Sequence, residues 1–253
     1  MPETRRDAFL GGRLHVHQPV SGYRAGVDPV LLAATIPARA GEQVLDLGCG
    51  VGVAGLCVAQ RVPGAAVAGL ERHPAYAALA RRNARENAAD FTVFEGDLDR
   101  MPAELRARRF DHVLANPPYF RRDAGTAAAD PAREVALGEQ TPLAHWVEAA
   151  SRRTRPGGTV TFIQRAARLP ELLSVMAEQL GSIEALPLLP RGGRAPRLVI
   201  VRGRKGGRAE FCLHAGWILH AGERHEKDGE NYTKATASVL RDAAPLPFPA
   251  RVR

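Results

Sequence analysis

The sequence predicts an α/β fold: a Rossmann-like, doubly wound sheet of about seven mostly parallel strands with helices on both faces. Three observations carry this expectation. Val44-Leu45-Asp46-Leu47 runs straight into Gly48-Cys49-Gly50-Val51-Gly52, and helical residues follow from Val53. The next strand, Ala66 to Leu70, ends in Glu71 about 20 residues after the glycines, where doubly wound folds place the acid that grips a ribose diol. Phe110 to Ala115 then ends at two prolines, which fix φ, remove two backbone donors and force the chain out of the sheet.

The chain has 253 residues, 45% apolar and 25% charged, enough to bury one sizeable core. Thirty-five Lys and Arg against 27 Asp and Glu give a net charge of +8, which favours an acidic partner such as nucleic acid. Cys49, Cys57 and Cys212 form neither a CxxC pair nor a disulfide framework, so a reducing compartment is expected. No apolar stretch approaches membrane-span length and no signal-peptide core is visible, so the expected location is cytoplasmic. Residues 1–42 read as an N-terminal lid or extension, 43–241 as the main domain and 242–253 as a tail.

In chain order, Leu14 to Gln18 alternates like a short strand, and Pro19 to Gly22 reads as a turn. His15 and His17 share a strand face, but no cysteine or third histidine stands nearby, so no metal site is expected. Asp28 followed by Pro29 opens a helix as N-cap and first helical residue. Before it, Tyr23, Arg24 and Asp28 occupy a glycine-bracketed loop able to close over a ligand. The glycines at 48, 50 and 52 permit positive φ and close backbone approach, so a ligand can lie across the end of the strand. Pro74 to Asn87 is helical, and Phe91 to Phe94 is a strand leading into Glu95-Gly96-Asp97-Leu98, where Asp97 can accept a hydrogen bond from an adenine amino group. Residues 120–140 lack a core pattern and contain Phe120-Arg121-Arg122 and Arg133-Glu134. A loop of that length beside a candidate site reads as a substrate-gripping lid. Pro142 to Thr154 is helical, Arg155-Pro156-Gly157-Gly158 is a turn, and Thr159 to Gln164 is the fifth strand. Helix Leu169 to Leu180 and strands Ile183 to Leu189 and Arg197 to Arg202 complete the sheet. A strand at Glu210 to Leu213 and a short helix at Thr233 to Leu240 follow. Between Ala185 and Ala209 there is no acid, but Arg191, Arg194, Arg197, Arg202, Arg204, Lys205 and Arg208 all occur, which suits phosphate binding.

The chemistry concentrates at Asn116-Pro117-Pro118-Tyr119. The Asn side-chain oxygen and the carbonyl between the prolines can together accept both hydrogens of a planar NH2 group, and the Tyr ring can stack on a flat base or amide. Such a receptor suits an amino group whose lone pair is conjugated. It catalyses by holding that nitrogen in line with an electrophilic methyl group and favouring the pyramidal nitrogen formed on attack.

On these residues the chain resembles the class I, S-adenosylmethionine-dependent methyltransferases. It most resembles the bacterial branch that methylates the adenine amino group immediately 3′ of the anticodon in a valine tRNA. The resemblance runs from about Gln18 to Leu240. It rests on Gly22-Tyr23-Arg24-Ala25-Gly26-Val27-Asp28, Val44 to Gly52, Asn116 to Phe120, Ala132-Arg133-Glu134, Arg155 to Gly158, Arg204-Lys205-Gly206-Gly207 and Tyr232-Thr233. It implies that Asn116, Pro117, Pro118 and Tyr119 form the catalytic loop. The implied cofactor residues are Tyr23, Asp28, Asp46, Gly48, Gly50, Gly52, Glu71, Asp97, Leu98 and Asn116, with Asp46 near the methionine end, Glu71 on the ribose and Asp97 and Leu98 around the adenine. Phe120, Arg121, Arg133, Arg204 and Lys205 are the expected substrate contacts, and RNA, above all tRNA, is the expected partner. The same tetrapeptide serves enzymes that methylate a glutamine amide of a release factor, and rRNA or DNA adenine would use the same pocket. The former usually carry a helical domain before the glycine loop, whereas the residues before Val44 here have strand and turn character. A cofactor-binding, RNA-associated protein without turnover is the remaining reading, against which the intact tetrapeptide argues.

Overall fold

A computed structural model describes residues 3–121, 138–139, 141–222 and 231–250. In chain order the elements are β1 (Thr4–Phe9), β2 (Leu14–Pro19), α1 (Asp28–Ala34), β3 (Gln43–Leu47), α2 (Val53–Arg61), β4 (Ala66–Glu71), α3 (Pro74–Glu86), β5 (Phe91–Glu95), α4 (Ala103–Ala107) and β6 (Phe110–Ala115). There follow β7 (Phe120–Arg121), β8 (Gly138–Glu139), α5 (Leu143–Arg153), β9 (Thr154–Arg165), α6 (Leu169–Gln179), β10 (Gly181–Leu189), β11 (Leu198–Arg204), β12 (Cys212–Leu213), β13 (Trp217–Ile218) and α7 (Lys234–Asp242).

The main sheet runs β12-β10-β11-β9-β6-β3-β4-β5, with β13 also paired to β10. Strands β5, β4, β3, β6 and β9 are mutually parallel, and β11 is antiparallel to both β9 and β10. This is the doubly wound sheet expected, its seven long strands extended by two short ones. Period-2 alternation splits each strand between two cores. Val44, Leu114, Ile163 and Ile200 pack with the α1, α2 and α3 side, while Leu45, Leu47, Val113, Phe162 and Val201 pack with α5 and α6. The chain winds from β3 toward β5 and then crosses to β6 on the other side. The switch between β3 and its neighbours therefore opens a crevice at the strands' C-terminal ends.

The N-terminal segment forms a β1–β2 hairpin, of which only β2 was expected. Its outer edge is not left bare. Asn83 and Asn87, one turn apart on α3, exchange carboxamide hydrogen bonds with the backbone N–H and C=O of His17 and His15 at 2.8–3.1 Å. Asn83 also donates to the Val51 carbonyl at 2.9 Å, tying hairpin, helix and glycine loop together. His17 pairs with Glu86 at 2.9 Å, so its imidazole has a structural use. Gln18 accepts from the Ala25 N–H and donates to Asp7, which also holds Arg24, so the hairpin fixes the course of the loop that carries Tyr23.

Two expectations need correction. Arg155-Pro156-Gly157-Gly158 is a bulge within β9 rather than a turn before it: Phe110 pairs with Thr154 but His112 with Thr159. Gly158 is needed there, because a Cβ would lie 2.5 Å from the Asp111 carbonyl oxygen. The residues after 241 are not a loose tail up to Phe248, since Leu246 and Phe248 belong to the buried core. Among the described residues no helix is long and apolar enough to cross a membrane.

Candidate active site

The crevice holds a cavity with about 1040 Å³ of non-protein space, open mouth included. Its walls include Gly48, Gly50, Glu71, Asp97, Leu98 and the whole of Asn116-Pro117-Pro118-Tyr119, with Tyr23 from the N-terminal loop. Thus the glycine loop, the acid at the end of β4 and the proline loop, far apart in sequence, share one space.

Glu71 fastens this space. One carboxylate oxygen accepts the Gly50 N–H at 2.9 Å and the other accepts the His73 N–H at 2.8 Å. A carboxylate has about four acceptor positions, so each oxygen retains capacity toward the cavity. Gly50 has φ +56, and a Cβ added there meets no atom within 4 Å, so a side chain would stand in open space beside the cavity. Gly48, at φ +66, is required for another reason: a Cβ would lie 2.5 Å from Cη2 of Trp146, whose ring lines the same cavity. Asp97 shares one carboxylate oxygen with the Asp99 N–H at 3.2 Å. A carboxylate at Glu71 and another at Asp97, apolar walls from Leu98 and Trp146 and a backbone-lined glycine loop are a set of groups that fits S-adenosylmethionine. Tyrosine rings at Tyr23, Tyr76 and Tyr119 supply faces suited to a cation such as a sulfonium.

Asp46 and Gly52 act one layer back. Asp46 does not line the cavity; its carboxylate accepts the Gly55 N–H at 2.9 Å and so ties β3 to α2. Gly52 is the left-handed residue before α2, and a Cβ there would meet Phe91 at 2.7 Å. Burial pushes the Asp46 carboxyl up to about 7 against the opposing pull of the Gly55 N–H, and the nearby charge of Glu71 adds to the rise. From pH 4 to 7 the folded state therefore carries more protons at this site than the unfolded state, and the Asp46 contribution to stability falls as pH rises. Asp46→Asn keeps an acceptor for Gly55 without the charge. Its unfolding midpoint relative to wild type is expected to climb through that window; parallel denaturation curves at all pH values would contradict the assignment.

The proline loop is braced on both sides. Tyr119 donates its hydroxyl to Asp28 at 2.7 Å, and burial together with that carboxylate raises the phenol far above its ordinary range. Asp28 thus stands behind Tyr119 and is not on the cavity wall, a correction to its expected cofactor contact. Gln164 donates to the Pro118 carbonyl at 3.5 Å, and both prolines line the cavity. Tyr23 hydrogen-bonds the Asn116 side chain, and its phenol is pushed up to about 12, chiefly by burial. Trp146, Gln164 and Tyr76 carry no motif. Trp146 reads in sequence as one more core position of an amphipathic helix, and its pairing with a side-chain-free Gly48 is a tertiary fact.

The basic segment does not form one surface. Arg202 is spent on Glu184 and stacks 4.1 Å above the ring of Phe248. Arg194 and Arg197 lie exposed in the β10–β11 connection, at the same end of the sheet as the cavity. Arg204 and Lys205, expected to contact substrate beside the catalytic loop, lie at the other end. Arg204 pairs with Thr159, which pairs with His112, near the start of β6. Six residues of β6 separate the two ends by roughly 20 Å at about 3.3 Å per residue. The cause is direction: β11 runs antiparallel to the strands that carry the site. Phe120 and Arg121 pair in parallel with Gly138 and Glu139, and Arg133 lies outside the described residues.

The methyltransferase small domain family matches residues 24–186. A tRNA1(Val) (adenine(37)-N6)-methyltransferase of Aeromonas hydrophila is 30% identical over 231 residues, 87% of this chain and 92% of that protein. One from Porphyromonas gingivalis is 32% identical over 179 residues, 66% of this chain and 68% of that protein. Among solved structures, an Agrobacterium tumefaciens protein described as a predicted O-methyltransferase superposes with TM-score 0.70 at 26% identity, over 88% of this chain and all of that one. A Thermus thermophilus 16S rRNA N2 G1207 methyltransferase, solved with AdoMet and guanosine, shares the fold at TM-score 0.56 and 23% identity, over 80% of this chain and 50% of that one.

Proposed function

The chain belongs to the methyltransferase small domain family and is an S-adenosylmethionine-dependent methyltransferase; from that premise we propose that it methylates the exocyclic N6 of an adenine in tRNA, beside the anticodon. The observation that carries this reading is the placement of Asn116 and Pro117 on the wall of the cavity that Gly50 and Glu71 build. The names of the relatives support the adenine and the tRNA, as does the excess of cations, with Arg194 and Arg197 exposed at the cavity end.

S-adenosylmethionine supplies an electrophilic methyl carbon carried on a sulfonium. The residues of this chain do the rest by position. The Asn116 oxygen and the Pro117 carbonyl accept the two amino hydrogens, hold the nitrogen at the cavity and draw its lone pair out of conjugation with the ring. Tyr119, tethered to Asp28, offers its ring to the base. No strong base precedes attack, because the nitrogen becomes acidic only after it is alkylated, and the cavity mouth is open to water as proton acceptor. The adenine must leave its stack to enter, which suits a single-stranded RNA loop. Phe120, Arg121 and Arg133 are the proposed lid contacts to that RNA.

The test is incubation with methyl-labelled S-adenosylmethionine and total tRNA, followed by nucleoside mass spectrometry. N6-methyladenosine gained next to the anticodon of a valine tRNA is expected. Label appearing in protein, or at another nucleotide, would overturn the assignment.

A further inference from the structure

At the end of the sheet away from the cavity, six cations from three chain segments gather, five of them bonded to main-chain carbonyls. Arg153 donates to the carbonyl of Arg106, as does Arg109; Arg155 reaches the carbonyl of Arg109; Arg204 takes Gly157 and Lys205 takes Ser151. Carbonyls are neutral partners, so these bonds fix Arg109, Arg153, Arg155, Arg204 and Lys205 without cancelling their charge. Among the described residues the carboxylate paired to this group is Asp111, held by Arg155 at 2.7 Å. Arg106, Arg109 and Arg204 are exposed. Burial, and after it the neighbouring cations, push Arg153 and Lys205 below their ordinary values. Part of the arrangement closes helix C-termini, where α4 and α5 present unpaired carbonyls. Capping accounts for Arg153, Lys205 and the Arg109 bond to the Arg106 carbonyl, but not for the exposed Arg106 side chain or for Arg204 on the Gly157 carbonyl.

We propose that this far surface is a second docking site for the RNA substrate, engaging backbone phosphates roughly 20 Å from the methylated base, a separation set by the length of β6. It rests on the tRNA reading and adds to it that substrate recognition extends well beyond the anticodon loop. Helix α5 connects the two regions: Trp146 near its start lines the cavity and Arg153 at its end belongs to the cluster. Phosphate is the fitting partner because several fixed, uncompensated cations gain most from a ligand carrying many negative charges along a line, with release of its counterions.

The experiment compares wild type with an Arg106→Gln/Arg109→Gln double variant, using full-length tRNA and a short anticodon stem-loop, with binding measured across a salt series. The double variant is expected to bind full-length tRNA about tenfold more weakly at physiological salt, with the slope of log K against log salt reduced by about two, one per cation. Methylation of the short stem-loop, S-adenosylmethionine affinity and melting temperature should stay at wild-type values. An Arg106→Lys/Arg109→Lys variant should restore the slope. An unchanged slope and affinity in the Gln variant, with wild type binding tRNA, would overturn the surface alone. Wild-type protein that binds and methylates no tRNA would overturn both this surface and the reading beneath it.

Discussion

Replacing Asn116 with Ala should lower kcat by about 10²–10³-fold, the usual cost of removing one preorganised dipole from a transition state. Affinity for S-adenosylmethionine should hardly move. In the proposed grip Asn116 is the companion acceptor of the Pro117 carbonyl, and without it the amino group can rotate away from the line of transfer. The cofactor elements, by contrast, are fastened independently: the glycine loop by Glu71 and Asp46, and the floor by Trp146 against Gly48. Rapid-quench kinetics beside calorimetric titration with S-adenosylhomocysteine separates the two effects. Equal loss of turnover and binding would show that Asn116 is part of the cofactor frame and not a substrate acceptor.

Glu71 should fail in the opposite sense. Its truncation to Ala removes the proposed diol contact and also strands the N–H groups of Gly50 and His73, each of which spends its bond on this carboxylate. Hydrogen bonds to a charged group are worth about 1.5–3 kcal/mol each, and losing the two proposed to the ribose diol predicts a loss of binding of about 100-fold or more. Glu71→Gln should be nearly as damaging, because the amide offers one oxygen where two acceptors are needed and turns its NH2 group against the second N–H. Calorimetry with S-adenosylhomocysteine is the readout. Binding within a few-fold of wild type in both variants would remove Glu71 from the cofactor site.

Much of this site was legible in the sequence because its central signals are backbone signals. Glycines at positive φ, an acid at a strand end and a double proline each restrict the chain locally, whatever packs around them. Gly48, Gly50, Glu71 and Asn116 were therefore readable, as was the alternation of strand and helix that brings their loops to one end of the sheet. What escaped depends on tertiary contact. Trp146 and Gln164 look like ordinary core residues, and Asn83 and Asn87 like ordinary helix surface, until β2 is laid beside them. Asp28 was linked to the right neighbourhood but to the wrong partner, since nothing local shows that it receives the Tyr119 hydroxyl. The misplacement of Arg204 and Lys205 has the clearest physical cause. A run of cations between two strands says nothing about which end of the sheet each will occupy, and the antiparallel return of β11 puts the first and last of them at opposite ends.

Everything proposed for this site depends on Asn116 and Pro117 gripping an amino group at the mouth of the methyl-donor pocket. A crystal structure with S-adenosylhomocysteine and an anticodon stem-loop would test it directly. An unstacked adenine is expected, with N6 about 2.7–3.2 Å from both the Asn116 oxygen and the Pro117 carbonyl. An adenine bound with N6 turned away from both acceptors, or left stacked in the RNA, would contradict it.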